Sequence, residues 1–289
     1  MKYFEIIIKT KKYLKSIIFG SLAIFTVSMI SYFVSQNLYM SDAIFEVRET
    51  SNQNQSPVNL RNIASIANVG GLLGEPNSSD FGKVMEKIES RDIAEKIFQN
   101  DEVLTFLLAA KGFDLKKKQV IYDQDIFDTK SNSFVNKFAS KNTAELYELG
   151  YKKYLKALSV SENQNGFINI RVSSMSPIFS KELIELVKDL INLDLSEIRK
   201  KELENSLKYL DSIIENSKDI SIRNSLINEQ LNIQKDLMTL NIRKDYVLTY
   251  IDSPNTPVVK YSPRLLFHIL ASIIISILYL MVVLIFFED

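Results

Sequence analysis

LLFHILASIIISILYLMVVLIFF, residues 265–287, is the stretch that decides the fold of this chain, and it carries no formal charge at pH 7. A bilayer core about 30 Å thick needs about 20 helical residues, so this stretch is long enough to cross a membrane. A second uncharged stretch, IIFGSLAIFTVSMISYFV, covers residues 17–34. The sequence therefore predicts two transmembrane helices that flank a polar middle.

The first apolar stretch could also be a cleaved signal peptide. Signal peptides have an apolar region of about 7–15 residues and a small-residue cleavage site, whereas residues 35–39 read SQNLY. We therefore favour an uncleaved anchor. The lysines beside it are predicted to hold the N-terminus in the cytoplasm, because lysine next to a span stays on that side. They include Lys9, Lys11, Lys12 and Lys15. Two spans then return the C-terminus to the cytoplasm, with about residues 36–263 outside.

Composition excludes several function classes. Among 289 residues, Lys+Arg 35 equals Asp+Glu 35, so no net charge favours nucleic acid as a partner. There is no cysteine, which excludes disulfides, iron–sulfur clusters, zinc–thiolate sites and thiol catalysis. The lone histidine, His268, lies in the second apolar stretch, most simply as a neutral interfacial residue. We predict no catalytic residue, cofactor or metal site.

The polar middle begins with alternating segments. Residues 41–49 alternate apolar and polar residues, which predicts a half-buried strand. Residues 80–99 have helical spacing with Asp80 as an N-cap, residues 101–110 predict a short helix closed by Gly112, and 142–157 predict another helix. Asn165-Gly166 between two apolar runs predicts a β-hairpin.

From residue 179 to about 250 the chain contains no glycine and no proline, and its leucines follow helical spacing. A break is expected at residues 216–221, which separates helices of about 60 Å and about 45 Å. Their apolar stripe must be buried against the other helix of a hairpin or against neighbouring protomers. The candidate oligomer or partner surface is Leu203, Leu207, Leu210, Leu226, Ile233 and Leu237.

Prolines mark the approach to the second span. Pro254, Pro257 and Pro263 lie within ten residues. Each fixes φ and pushes its predecessor towards extended geometry, so this segment is predicted to be a stiff, extended connector. Within the span, Ser272 and Ser276 form a small-xxx-small pattern of the kind that packs helix against helix.

The layout resembles the Wzz-type O-antigen chain-length determinants, the short class of polysaccharide co-polymerases. The resemblance covers nearly the whole chain, and the run DSPNTPVVKYSPR (252–264) before an apolar helix is its most specific part. Three further segments are similar: YMSDAIFEV (39–47), ESRDIAE (89–95), and GFINI (166–170) leading to Ser176-Pro177. The family's second span often has glycines thought to pack helix against helix, whereas the small residues of this chain are Ala271, Ser272 and Ser276; the resemblance implies a helix-packing role for them.

The resemblance implies a non-enzymatic role in controlling how long a lipid-linked polysaccharide grows. It implies a homo-oligomeric ring in the bacterial inner membrane, with the bulk of the chain in the periplasm. The implied partners are an integral-membrane polymerase and the growing glycan.

The predicted fold class is an α+β membrane protein in which two transmembrane helices flank an exported α/β base with a long helical hairpin. The predicted segments are a cytoplasmic N-terminus (1–15), a first transmembrane helix (16–36), an α/β base (37–175) to which 251–262 returns, a helical hairpin (176–250), a second transmembrane helix with its proline lead-in (263–287), and a cytoplasmic stub (288–289).

Two other functions stay open. One is a capsule or exopolysaccharide co-polymerase that works with a separate kinase or an export channel, since a fused kinase would need a phosphate loop that this sequence lacks. The other is a periplasmic adaptor of a secretion system, against which the second span and the connector argue.

Overall fold

A computed structural model describes residues 14–47 and 80–286. Within these ranges the helices are α1 (Leu14–Val34), α2 (Asp80–Ile88), α3 (Arg91–Phe98), α4 (Asp101–Ala109), α5 (Asn136–Ala139), α6 (Thr143–Ala157), α7 (Pro177–Asn216), α8 (Ile220–Ile242) and α9 (Leu265–Phe286). The strands are β1 (Tyr39–Val47), β2 (Ala110–Asp114), β3 (Gln119–Tyr122), β4 (Phe127–Asp128), β5 (Ser133–Phe134), β6 (Leu158–Glu162), β7 (Ile168–Ser174) and β8 (Leu248–Asp252). The chain is helix-rich, with an apolar helix near each end.

An antiparallel sheet in the order β6-β7-β1-β8 is the largest sheet among the described residues. β1 pairs with β7, placing Ala43 opposite Ile170, and with β8, placing Phe45 opposite Tyr250. Alternate residues of β1 are buried, as the sequence pattern predicted. The β6–β7 hairpin is also confirmed: Gly166 has φ +76, and the side chain of Asn163 accepts from the backbone N–H groups of Asn165 and Phe167.

One apolar core joins this sheet to the helices around it. Its largest fully buried side chains include Phe45, Phe98, Ile168, Ile184 and Leu248. Tyr154 of α6 is also fully buried, and its hydroxyl donates to the backbone oxygen of Ile88 at 2.8 Å. We call the sheet, α2–α6 and the first half of α7 the base.

The single helix expected over residues 80–99 is instead two helices, α2 and α3. Ser90 interrupts it with extended backbone, φ −71 and ψ 154, and its hydroxyl accepts from the backbone N–H of Ile93. A serine that caps a new helix outweighs the continuing apolar periodicity. Asp80 is helical and is the first described residue of α2, so the N-cap expected at Asp80 is not observed.

The end of α4 also differs from the expectation that Gly112 closes this helix. Gly112 does not close α4; Ala110 is the C-cap, and Gly112 lies in β2. β2 and β3 pair antiparallel, and Asp114 turns the chain by accepting from the backbone N–H groups of Lys116 and Lys117. The lysine-rich run 115–118 is therefore the turn of a small exposed hairpin.

α7 and α8 form the helical hairpin. α7 has 40 residues and α8 has 23, or about 60 Å and about 35 Å at 1.5 Å per residue. The first half of α7 packs in the core of the base, and the second half packs on α8. The expected helix to residue 250 was too long, because α8 ends at Ile242 and residues 248–252 form strand β8.

Asn192 explains why the chain returns to the sheet there. This buried side chain accepts from the backbone N–H groups of Val247 (2.7 Å) and Leu248 (2.8 Å) and donates to the backbone oxygen of Leu248 (3.0 Å). Three hydrogen bonds to the backbone thus fix the edge strand against α7. They favour the strand over another turn of helix.

Candidate functional site

α1 and α9 pack against each other along their length. Both are long and apolar enough to cross a membrane by length and composition, and most of their large apolar side chains are exposed, including Phe19 and Phe33 of α1 and Leu266 and Phe267 of α9. Gly20 makes the close approach possible, because a Cβ added there would lie 2.2 Å from a ring carbon of Tyr279. The Ser28 hydroxyl donates to the backbone oxygen of His268 at 2.9 Å.

The small residues of α9 lie at this helix–helix contact. Ser272 is buried, and its hydroxyl donates to the backbone oxygen of Ile269 within the helix. Ser272 and Ser276 border a space of about 410 Å³ between the helices, together with Ser21 and Phe25 of α1. Ala271 is half-buried beside Ser272.

The prolines of the connector, residues 253–264, have two different environments. Pro254 and Pro263 are buried, whereas Pro257 is half-buried; the Ser262–Pro263 bond is cis. The connector runs beside the residues that follow α1: Leu38 exchanges backbone hydrogen bonds with Ser262 and Tyr261 at 2.7–3.3 Å. The Ser41 hydroxyl donates to the backbone oxygen of Asn255. The extended connector is thereby tied to the start of β1.

The six residues predicted as an oligomer or partner surface lie between α7 and α8 of the same chain. Leu203, Leu210, Leu226 and Ile233 are buried there, with Leu207 and Leu237 packed against them. Of the two predicted ways to bury this stripe, the structure has the intramolecular one. The apolar side chains that the hairpin leaves exposed are others, among them Ile198, Leu231 and Met238.

An ion cluster fixes α7 to the short helices of the base. Asp194, with 9% of its side chain exposed, forms ion pairs with Lys87 (2.8 Å) and with Lys96. Burial alone would raise the pKa of the Asp194 carboxyl, but the hydrogen bonds and charges of the two lysines outweigh burial and hold the pKa below its ordinary value. The ionised carboxylate therefore stabilises the folded chain.

Asp194→Asn is expected to lower the free energy of unfolding at neutral pH by about 1.5–3 kcal/mol, the range for hydrogen bonds to charged groups. Because the folded pKa of Asp194 is depressed, its contribution is present above the ordinary pKa of about 4 and is lost as pH falls through the folded value. Urea titrations from neutral to acidic pH would measure both effects. The exposed Asp236→Asn on α8 is the matched control; equal acid sensitivity in both variants would contradict this account.

A groove of about 350 Å³ lies between α3 and α6. Its walls include Arg91, Glu95, Tyr147, Glu148 and Tyr151. Arg91 forms an ion pair with Glu148, and its guanidinium lies 4.5 Å from the centre of the Tyr151 ring. The hydrogen bond from Arg91 holds the pKa of the Glu148 carboxyl below its ordinary value. Tyrosine faces beside fixed polar groups can contact a ligand that is apolar on one face and hydroxylated at its edges.

Of the four lysines predicted to set topology, Lys15 is exposed in the first turn of α1. Lys9, Lys11 and Lys12 lie outside the described residues. Within 14–47 and 80–286 no three His, Asp or Glu side chains converge as a possible metal site.

Two residues that the structure gives a central position were missed from the sequence. Gly20 could have been found as an isolated glycine inside an apolar helix, which often has a packing reason. Asn192 is a polar residue within the apolar stripe of α7, but its partners lie 55 and 56 residues away. No local pattern identifies such partners.

Comparisons with known proteins give only distant similarities. No family model matches the sequence, and no curated protein matches it. Among solved structures, the chain is similar to a full-length bacterial polysaccharide co-polymerase, with 10% identity, a TM-score of 0.36, and coverage of 96% of this chain and 95% of that one. It is also similar to a fragment of WzzB, a polysaccharide co-polymerase from Salmonella Typhimurium, with 14% identity, a TM-score of 0.29, and coverage of 78% and 100%. Both neighbours belong to the class of protein that the sequence resembles.

Proposed function

We propose that this chain is a non-enzymatic regulator of the length of a lipid-linked surface polysaccharide, O-antigen or a similar polymer. The observation that carries the proposal is the continuous connection from paired spans to base to hairpin. β1 begins five residues after α1 ends, the connector pairs with the same segment, and α7 runs from the base core into the hairpin. A structure of this kind holds the end of the hairpin at a fixed distance, tens of ångströms, from the membrane. This role needs no reaction centre.

The proposed location is the bacterial inner membrane. The lysines of residues 1–15 favour a cytoplasmic N-terminus. Because Leu38 and Ser262 pair directly, α1 and α9 enter the base from the same side. The base and hairpin are then periplasmic, and both termini are cytoplasmic.

The proposed assembly is a homo-oligomeric ring that works with the membrane polymerase. Since the leucine stripe of the hairpin is occupied within the chain, protomers would meet through the exposed apolar residues of its outer face, such as Ile198, Leu231 and Met238. The polymerase would contact the lipid-exposed faces of α1 and α9.

Direct contact with the growing glycan is proposed at the groove between α3 and α6. A sugar ring presents an apolar face to aromatic residues and hydroxyls to planar polar groups, and Tyr147, Arg91 and Glu148 provide both kinds of contact. Arg91 is opposed by Glu95 and Glu148 among the lining residues, and Lys152 lies 3.7 Å from Glu148. The groove therefore has no excess of positive charge, which favours a neutral sugar over an acidic one.

The proposed function is tested by the length distribution of surface polysaccharide from cells with and without the gene. We expect a modal ladder that collapses to a short-biased spread on deletion and returns on complementation. A variant that lacks residues 203–240 should shift the mode without abolishing polymer. A ladder that is unchanged by deletion would contradict O-antigen control; a loss of capsule export alone would favour the co-polymerase with a separate kinase or channel, and a secretion defect would favour the adaptor.

A further inference from the structure

The connector contains two neighbouring valines whose side chains are not buried against the base. Val258 is 91% exposed and Val259 is 77% exposed. They are followed by Lys260 and, beyond Tyr261, Ser262 and Pro263, by Arg264. We call residues 258–264 the interfacial loop. Adjacent valines at such exposure form a small apolar surface that the chain itself does not cover.

Contacts with α1 fix the level of this loop. The Lys260 ammonium donates to the Tyr32 hydroxyl at 3.0 Å and to the Asn37 side-chain oxygen at 3.3 Å, and it lies 4.7 Å from the centre of the Tyr32 ring. Tyr32 belongs to the last turn of α1, whose apolar run ends at Val34. The loop therefore returns to the level at which the first span leaves the bilayer core.

The side chains of the interfacial loop are of the types found at the boundary between membrane and water. The Arg264 guanidinium lies 4.9 Å from the centre of the Tyr261 ring, and its Nε donates to the backbone oxygen of Tyr261 at 3.2 Å. In the described part of the chain, no carboxylate lies within ion-pair distance of Lys260 or Arg264. Tyrosine, lysine and arginine are the residues that occupy the membrane–water boundary.

We propose that the interfacial loop is a membrane-docking surface whose occupant is the phospholipid bilayer around the spans. Val258 and Val259 enter the boundary layer of the bilayer, and Lys260 and Arg264 bind phosphate groups of its lipids. Continuity with α1 and α9 identifies the bilayer as the occupant, because the Tyr32 contact holds the loop at the membrane surface. The loop then sets the height of the base over the membrane, whichever polymer the protein serves.

The proposed entry of the valines into the bilayer can be tested by tryptophan fluorescence, because the chain contains no tryptophan. Val259→Trp introduces a single reporter, and Ile220→Trp at the far end of the hairpin is its matched control, since both side chains are 77% exposed. With the full chain in phosphatidylcholine vesicles, we expect blue-shifted emission from Val259→Trp and strong quenching by lipids brominated near the headgroup. Emission and quenching equal to those of Ile220→Trp would overturn the proposal.

The proposed binding of lipid phosphate groups by Lys260 and Arg264 is tested with spin-labelled lipids and the full chain. We expect the unsubstituted chain to associate with anionic phosphatidylglycerol several-fold more strongly than with phosphatidylcholine. Lys260→Gln with Arg264→Gln should remove most of this preference. Lys116→Gln with Lys117→Gln, which removes the same charge from the β2–β3 turn, should leave it intact. An unchanged preference in the first double variant would overturn the assignment of phosphate binding to the loop. Neither outcome depends on chain-length control, so failure here is distinguishable from failure of the proposed function.

Discussion

Asn192→Leu is expected to lower the free energy of unfolding of the base by roughly 3–5 kcal/mol. Leucine keeps the branched shape, with two larger methyl groups in place of the amide oxygen and nitrogen, but removes three hydrogen bonds to Val247 and Leu248. A buried backbone group left without a partner costs about 1–3 kcal/mol, so the loss should be large for one substitution. Urea unfolding in detergent, followed by far-UV circular dichroism, would measure it.

Hydrogen exchange would locate the effect of Asn192→Leu. The amides of Val247 and Leu248 should lose protection, because their acceptor is gone, while the amides of the β6–β7 pair should lose protection only as far as global stability falls. The exposed Asn232→Leu on α8 is the control and should stay within about 0.5 kcal/mol of the parent chain. A change that small for Asn192→Leu would contradict the role given to this side chain.

The second large effect is expected for Gly20→Leu, which should separate the two spans. Even one added carbon would lie 2.2 Å from the end of the Tyr279 ring, so this ring must move aside. We expect the further carbons of leucine to push the helices apart as well. Overpacking of this kind costs about 1–3 kcal/mol, which corresponds to about fivefold to a hundredfold in the equilibrium constant between packed and separated helices.

Cross-linking would measure this separation. The chain has no native cysteine, so Ser21→Cys and Ser276→Cys, which border the space between the helices, can be joined by a short reagent with two thiol-reactive maleimide groups. We expect the yield to fall about tenfold in Gly20→Leu and to recover when Tyr279→Ala is added. Phe19→Leu changes a neighbouring side chain that is 72% exposed, and it should leave the yield unchanged. An undiminished yield in Gly20→Leu would show that the spans do not pack through Gly20.

The parts of the fold that could be predicted are those that local patterns encode. The apolar runs give α1 and α9, alternation gives β1, and Asn165-Gly166 gives the β6–β7 hairpin. The break between α7 and α8 was also predictable, because Asp219 caps α8 within a polar run. Each of these signals acts over a few residues.

The parts that were missed depend on contacts between distant residues. The apolar spacing up to residue 250 is compatible with a helix, and only Asn192 and pairing with β1 make residues 248–252 a strand. The leucine stripe likewise did not reveal whether its partner was α8 or another protomer. The level of the interfacial loop depends on the contact between Lys260 and Tyr32, which are separated by 228 positions.

The most direct test of the central claim is the product length of a reconstituted polymerase. Lipid-linked repeat units and the purified polymerase in proteoliposomes would be assayed with and without this chain, and the products separated on a gel. Control of chain length predicts a broad distribution without the chain and a modal one with it, and Gly20→Leu should weaken the mode at unchanged total polymerisation. Identical distributions with and without the chain would contradict the claim.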